Sequence, residues 1–98
     1  MELYFITSNL GKAQTLQKSF EIAGYKNIKI IQKDMNLMEP QADTVAEVSK
    51  FKAEQAYKIL KAPLLVEDGS FCVEALEGFP GVYTKYVLET IGVKELSN

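Results

Sequence analysis

The sequence predicts an α/β protein, a parallel or mixed sheet flanked by helices in a three-layer-like arrangement. Two observations carry that prediction. Apolar, β-branched runs alternate with segments of helical period in the order strand, helix, strand, helix, strand, the signature of a parallel sheet. The least ordinary stretches, "TSNLGK" and "VEDGS", both follow apolar runs, which places them at the carboxyl ends of strands, where open α/β sheets bind ligands. At 98 residues the chain is read as a single domain over 1–98. A chain of this size buries roughly 60–65% of its unfolded surface, enough for a modest core.

Taken in order, Glu2–Thr7 reads as a buried strand. Lys12–Ala23 carries Ala13, Leu16, Phe20 and Ala23 at near-helical spacing, and Gly24 closes that helix. Asn27–Gln32, "NIKIIQ", is β-branched and reads as a second strand. Asp34–Asp43 is polar, contains Pro40 and reads as a loop. Thr44–Lys61 is the longest helix, with Thr44 as N-cap, Glu47 completing a capping box, and Val45, Val48, Ala56 and Ile59 near one stripe. "LLVED", Leu64–Asp68, reads as a third strand, followed by a tight loop at residues 78–81 and a helix over Tyr83–Ile91 stopped by Gly92. Strand 1 is expected between strands 2 and 3, which opens a crevice at their carboxyl ends.

Composition narrows the chemistry. The chain has no histidine, so imidazole acid–base catalysis and His-ligated zinc are excluded. A lone cysteine, Cys72, builds neither an internal disulfide framework nor a zinc site, and points to a reducing cytoplasm. No apolar run reaches the roughly 20 residues that span a bilayer, and no signal peptide is read at Met1. A net charge of −2, with lysines scattered among acids, argues against a nucleic-acid surface. The tools left for catalysis are carboxylates, lysines, backbone amides and a hard cation such as Mg²⁺.

In "TSNLGK", Thr7, Ser8 and Asn9 lead from a strand into the amino end of a helix, whose unpaired amides and dipole favour phosphate, with Lys12 as a point charge. The stretch is not a Walker A loop, because the upstream glycine is missing and Ala13 stands where a hydroxyl would hold Mg²⁺. The alternative is structural: Ser8 or Asn9 caps the helix and Lys12 is solvated. In "VEDGS", Glu67 and Asp68 point to opposite strand faces, so at most one aims at a given spot, to hold a cation or to act as a general base. The alternative there is an Asx turn over Asp68-Gly69-Ser70. Spacing alone marks Glu47 and Lys52 only as parts of a solvated helix face.

Together, "TSNLGK" after the first strand, Glu47 and Lys52 on the second helix, "LLVEDGS" and "ALEGFPGVYTKYVLE" resemble the inosine triphosphate pyrophosphatase family. The resemblance runs over about Leu3 to Leu96, with "LxGxPGxY" as its most specific part. It implies the amino-terminal portion of that family's fold and hydrolysis of nonstandard purine nucleoside triphosphates (ITP, dITP, XTP) to monophosphate and pyrophosphate with Mg²⁺. By that resemblance Thr7, Ser8, Asn9, Leu10, Gly11 and Lys12 cradle the triphosphate, and Lys52 contacts phosphate. Asp68 holds Mg²⁺ and orients or deprotonates the attacking water, Glu47 is a metal ligand, and Glu67 is a secondary acid. Gly69 and Ser70 lie against the nucleotide. Family members are longer, and their second half carries a "FGYDP"-like and a "SHR"-like segment that recognise the base. Neither occurs here, and the chain ends at "VKELSN" where a further helix is expected to start. The expected form is therefore a homodimerising half-length enzyme, with a non-catalytic triphosphate-binding module or a partner-binding remnant as alternatives.

Overall fold

The computed structural model describes residues 2–41, 43–67, 72–77, 82–89 and 92–96. The chain runs β1 (Glu2–Ile6), α1 (Leu10–Ile22), β2 (Lys29–Lys33), α2 (Val45–Leu60), β3 (Leu64–Glu67), β4 (Cys72–Glu77), β5 (Val82–Glu89) and β6 (Gly92–Leu96). The strands form one six-stranded sheet in the order β2-β1-β3-β4-β5-β6. β1 pairs in parallel with both β2 and β3, as expected from the βαβαβ order. From β3 onward every pairing is antiparallel, so the sheet is mixed.

Alternation along the parallel strands divides the interior in two. Leu3, Phe5 and Leu65 face α1 and pack with Ala13, Leu16 and Phe20 of that helix, together with Ala75 and Tyr86 of the antiparallel strands. Phe20, Tyr25 and Tyr86 meet edge to face, with ring centroids 5.3–6.2 Å apart. Tyr4, Ile6, Leu64 and Val66 face the other way and pack against Ala53 and Ala56 of α2.

The helix ends follow local chemistry. Asn9 caps α1, its side-chain oxygen accepting from the Lys12 N–H at 3.2 Å. At the other end Tyr25 N–H donates to the Phe20 carbonyl and Gly24 N–H to that of Glu21, a Schellman closure that needs the positive φ of 98° at Gly24. Thr44 caps α2, accepting from the Glu47 N–H at 3.1 Å, as half of the expected capping box.

Several expectations are corrected. Residues 83–89 are not helical: Val82–Glu89 is a strand laddered between β4 and β6. Its Val, Tyr and Thr residues favour a pleated surface, and long-range pairing overrides the weaker helical period. The Cys72–Glu77 strand had no counterpart in the reading, and Gly92–Leu96 forms a strand where a helix was expected to begin. The sheet therefore continues beyond β3, whose second edge is paired with β4. On α2 the buried face is Ser49, Ala53 and Ala56, whereas Val45 and Ile59 are exposed. The tight loop expected at 78–81 lies outside the described residues.

Candidate functional site

The carboxyl ends of β1, β2 and β3 lie side by side because the strands are parallel, and a cleft of about 340 Å³ opens there. Ile6, Thr7 and Ser8 enter it from the end of β1, Lys12 from the first turns of α1, and Lys52 from α2. Val66 and Glu67 line it from β3, and residues 34–37 from the segment after β2.

The turn between β1 and α1 is held from both sides. Thr7 N–H donates to the Lys33 carbonyl at 3.0 Å, and the Gln32 amide donates to the Thr7 carbonyl at 2.8 Å. Thr7 Oγ1 accepts from the Asn9 N–H at 3.1 Å. Asn9 is thus the cap that the structural alternative allowed, while its own N–H is turned toward Thr7. The first turn of α1 carries no acidic residue, so nothing there opposes an anion at its positive end.

Alternation decides which acid of β3 can meet α1. Glu67 has the parity of Leu65, so it emerges on the α1 side, and Lys12 Nζ lies 3.0 Å from Glu67 Oε1. Lys12 is therefore ion-paired, not simply solvated. The Ser49 hydroxyl, the buried polar side chain on α2, donates to the Glu67 carbonyl and ties the strand end to that helix. Across the cleft, Lys52 Nζ reaches Glu39 Oε1 at 2.5 Å. That hydrogen bond, and then the lysine charge, hold the Glu39 carboxyl below the ordinary glutamate range. Glu39 is delivered by an anchored segment: Met38 N–H donates to Gln55 Oε1 at 3.0 Å, and Gln55 Nε2 donates to the Met38 carbonyl at 2.7 Å.

Of the residues singled out in the sequence, Thr7, Ser8, Lys12, Lys52 and Glu67 come together in this cleft. Asn9, Leu10, Gly11 and Glu47 are not among its lining residues; Asn9 and Glu47 take part in helix capping, and Leu10 is 57% exposed. Asp68, Gly69 and Ser70, and with Asp68 its expected pairing with Glu47 around a cation, lie outside the described residues. The reading missed Asp34, Glu39, Gln32 and Ser49. Asp34 carried a usable signal, since it directly follows a parallel strand and so shares the sheet's carboxyl end. Glu39 carried none, lying far in sequence from the lysine it meets.

Among the described residues no three metal-ligating side chains converge. The cleft does hold carboxylates on Glu67 and Asp34 beside two lysines. That donor set suits a hard cation bound by one or two carboxylates together with a ligand's phosphates, not one held in an all-protein cage. No helix among the described residues is long and apolar enough to cross a membrane.

Residues 3–98 match the model of the Ham1 family. The chain is 41% identical over 92 residues to a dITP/XTP pyrophosphatase of Thermococcus kodakarensis, covering 94% of this chain and 48% of the relative. It is 41% identical over 96 residues to a dITP/XTP pyrophosphatase of Ignicoccus hospitalis, covering 97% and 50%. Inosine triphosphate pyrophosphatase 1 of Trypanosoma cruzi is 41% identical over 87 residues, covering 89% and 42%. The chain spans about half the length of the curated relatives it matches.

Proposed function

Since the chain belongs to the Ham1 family, we propose that its cleft binds the triphosphate of a nonstandard purine nucleotide (ITP, dITP or XTP) and serves its hydrolysis to monophosphate and pyrophosphate. The observation that carries this reading is the meeting of Thr7, Ser8, Lys12, Lys52 and Glu67 in one cleft at the strands' carboxyl ends. The names of the relatives supply the substrate class.

In this reading Thr7 and Ser8 meet the phosphate chain, with the backbone amides of Leu10 and Gly11 behind them adding the positive end of α1. Lys12 and Lys52 exchange their carboxylate partners for phosphate oxygens. Asp68 would hold Mg²⁺ and orient the attacking water and accept its proton, with Glu67, released from Lys12, as a secondary acid. Bound Mg²⁺ would withdraw charge from the phosphates at the bond to be broken. Gly69 and Ser70 lie against the nucleotide. Glu47 is left out of the metal set because it does not line the cleft.

The reading extends to a cytoplasmic homodimer. Its support is the set of exposed apolar side chains Val45, Phe51 and Ile59 on α2, which a second copy would cover. The half-length match favours a second reading, a module that binds triphosphate without turning it over. Incubation with ITP and Mg²⁺, with pyrophosphate release as the readout, separates the two. Release by the chain and its loss in Asp68→Asn support the enzyme. Calorimetric binding of ITP with no release supports the module, and neither binding nor release refutes both.

A further inference from the structure

We propose that Gln32 is a positioning residue for anion binding: its side chain holds the β1–α1 turn in the shape that presents Thr7 and Ser8 to a ligand's phosphates. The proposal rests on reading the cleft as a polyphosphate site.

Gln32 is not among the residues that line the cleft, so it acts through those that do. It has the parity of Ile30 along β2 and stands beside Phe5 in register, so it emerges on the α1 face of the sheet. There its amide donates to the Thr7 carbonyl at 2.8 Å. The Thr7 N–H donates to the Lys33 carbonyl at 3.0 Å and continues the parallel β1–β2 ladder by one rung. In such a ladder the carbonyl of that same residue would next take a main-chain N–H two residues further on, at Met35. β2 instead ends at Lys33, and residues 34–37 turn aside to wall the cleft. The Gln32 amide takes over the missing rung. One side chain thus lets the strand end early and still keeps Thr7 tied to the sheet.

The tether runs on into α1. Thr7 Oγ1 accepts from the Asn9 N–H at 3.1 Å, and Asn9 Oδ1 accepts from the Lys12 N–H at 3.2 Å. Fixing the Thr7 carbonyl also fixes the planar peptide it shares with the Ser8 N–H, and with it the direction of that donor. Donors already held in place bind an anion without the cost of ordering them. A second glutamine gives the comparison. Gln17 of α1 ties the amino end of the same strand, its Oε1 accepting from the Ile30 N–H at 2.6 Å and its Nε2 donating to the Ile28 carbonyl at 2.9 Å. It holds the helix to the sheet and touches neither Thr7 nor the cleft.

The test titrates inorganic tripolyphosphate calorimetrically with Mg²⁺ present, and urea denaturation gives the stabilities. Gln32→Met keeps the length of the side chain and loses the donor. It should weaken binding roughly two- to tenfold, the scale of one neutral hydrogen bond. Gln17→Met should lose at least as much stability and keep the affinity of the unaltered chain. Equal affinities for Gln32→Met and the unaltered chain, or an equal loss of affinity in both variants, overturn the proposal while leaving the polyphosphate reading intact. Should Gln32→Met not fold, the side-chain amide resonances of the unaltered chain decide. Tripolyphosphate should shift those of Gln32 and leave those of Gln17, and shifts in both or in neither overturn the proposal. Failure of the unaltered chain to bind tripolyphosphate overturns the polyphosphate reading, and the positioning role with it.

Discussion

Replacing Lys12 by alanine separates anion binding from stability, because the structure assigns the side chain very different weights in the two. Its ammonium lies 3.0 Å from Glu67, with 55% and 40% of the two side chains exposed. At that exposure solvent screens the pair, and its loss should cost about 0.2–1 kcal/mol of stability. A phosphate oxygen on the same ammonium makes a charge-assisted hydrogen bond worth about 1.5–3 kcal/mol. Losing it should weaken tripolyphosphate binding by roughly 10- to 100-fold. Part of that loss has a second origin, since Lys12→Ala leaves Glu67 unpaired and facing the anion. The double variant Lys12→Ala/Glu67→Gln should therefore bind more tightly than Lys12→Ala alone, and the cycle isolates the coupling between them. Calorimetric titration gives the affinities and urea denaturation the stabilities. A large fall in stability with unchanged affinity would refute the reasoning and make Lys12 a structural residue.

Ser49→Ala removes the hydroxyl bonded to the Glu67 carbonyl inside the fold, and should cost about 1–2 kcal/mol in urea denaturation; Ser49→Thr should restore part of it. The Glu39 carboxyl, held low by Lys52, should titrate below the ordinary glutamate range in carbon-detected NMR and return to it in Lys52→Met. A carboxyl lowered in the folded state lends stability above its unfolded pKa and loses it as pH falls through the folded value. Any contribution of this pair therefore vanishes on acidification, not on alkalinisation. Size-exclusion chromatography with light scattering should find the chain dimeric at micromolar concentration, and a clean monomer would remove the exposed α2 side chains as an argument for self-association.

The parallel half of the sheet and both helices were legible because each element carries its own signal. Leu16 and Phe20 repeat at helical spacing, Gly24 and Thr44 mark ends, and "LLV" is continuously apolar, as a strand covered on both faces must be. The antiparallel half was not legible. In Val82–Glu89 the apolar residues fit a helical period as well as a strand, and what decides is pairing with Cys72–Glu77, a partner that no local window contains. The site divides the same way. Lys12 and Glu67 could be placed at one sheet end from topology, yet their direct pairing follows from the parity of Glu67 along β3. Glu39 meets Lys52 only because Gln55 folds the intervening loop back onto α2, and no sequence spacing encodes that return.

The unequal filling of the two sheet faces bears on which part of the molecule opens first. Behind α1 lie the bulky side chains of Leu3, Phe5, Leu16, Phe20, Leu65 and Tyr86. Behind α2 the fully enclosed groups are Ala53, Ala56, Leu64 and Val66. Fewer large side chains are buried behind α2 than behind α1, so excursions that free its amides should cost less. In native-state hydrogen exchange, the amides around Ala53 and Ala56 should exchange through small, denaturant-insensitive openings, while those around Leu16 and Phe20 wait for larger ones. Lys52 rides on the looser helix. An anion seated on it would slow exchange along α2 and leave α1 unchanged, so the cleft has one fixed wall and one that breathes.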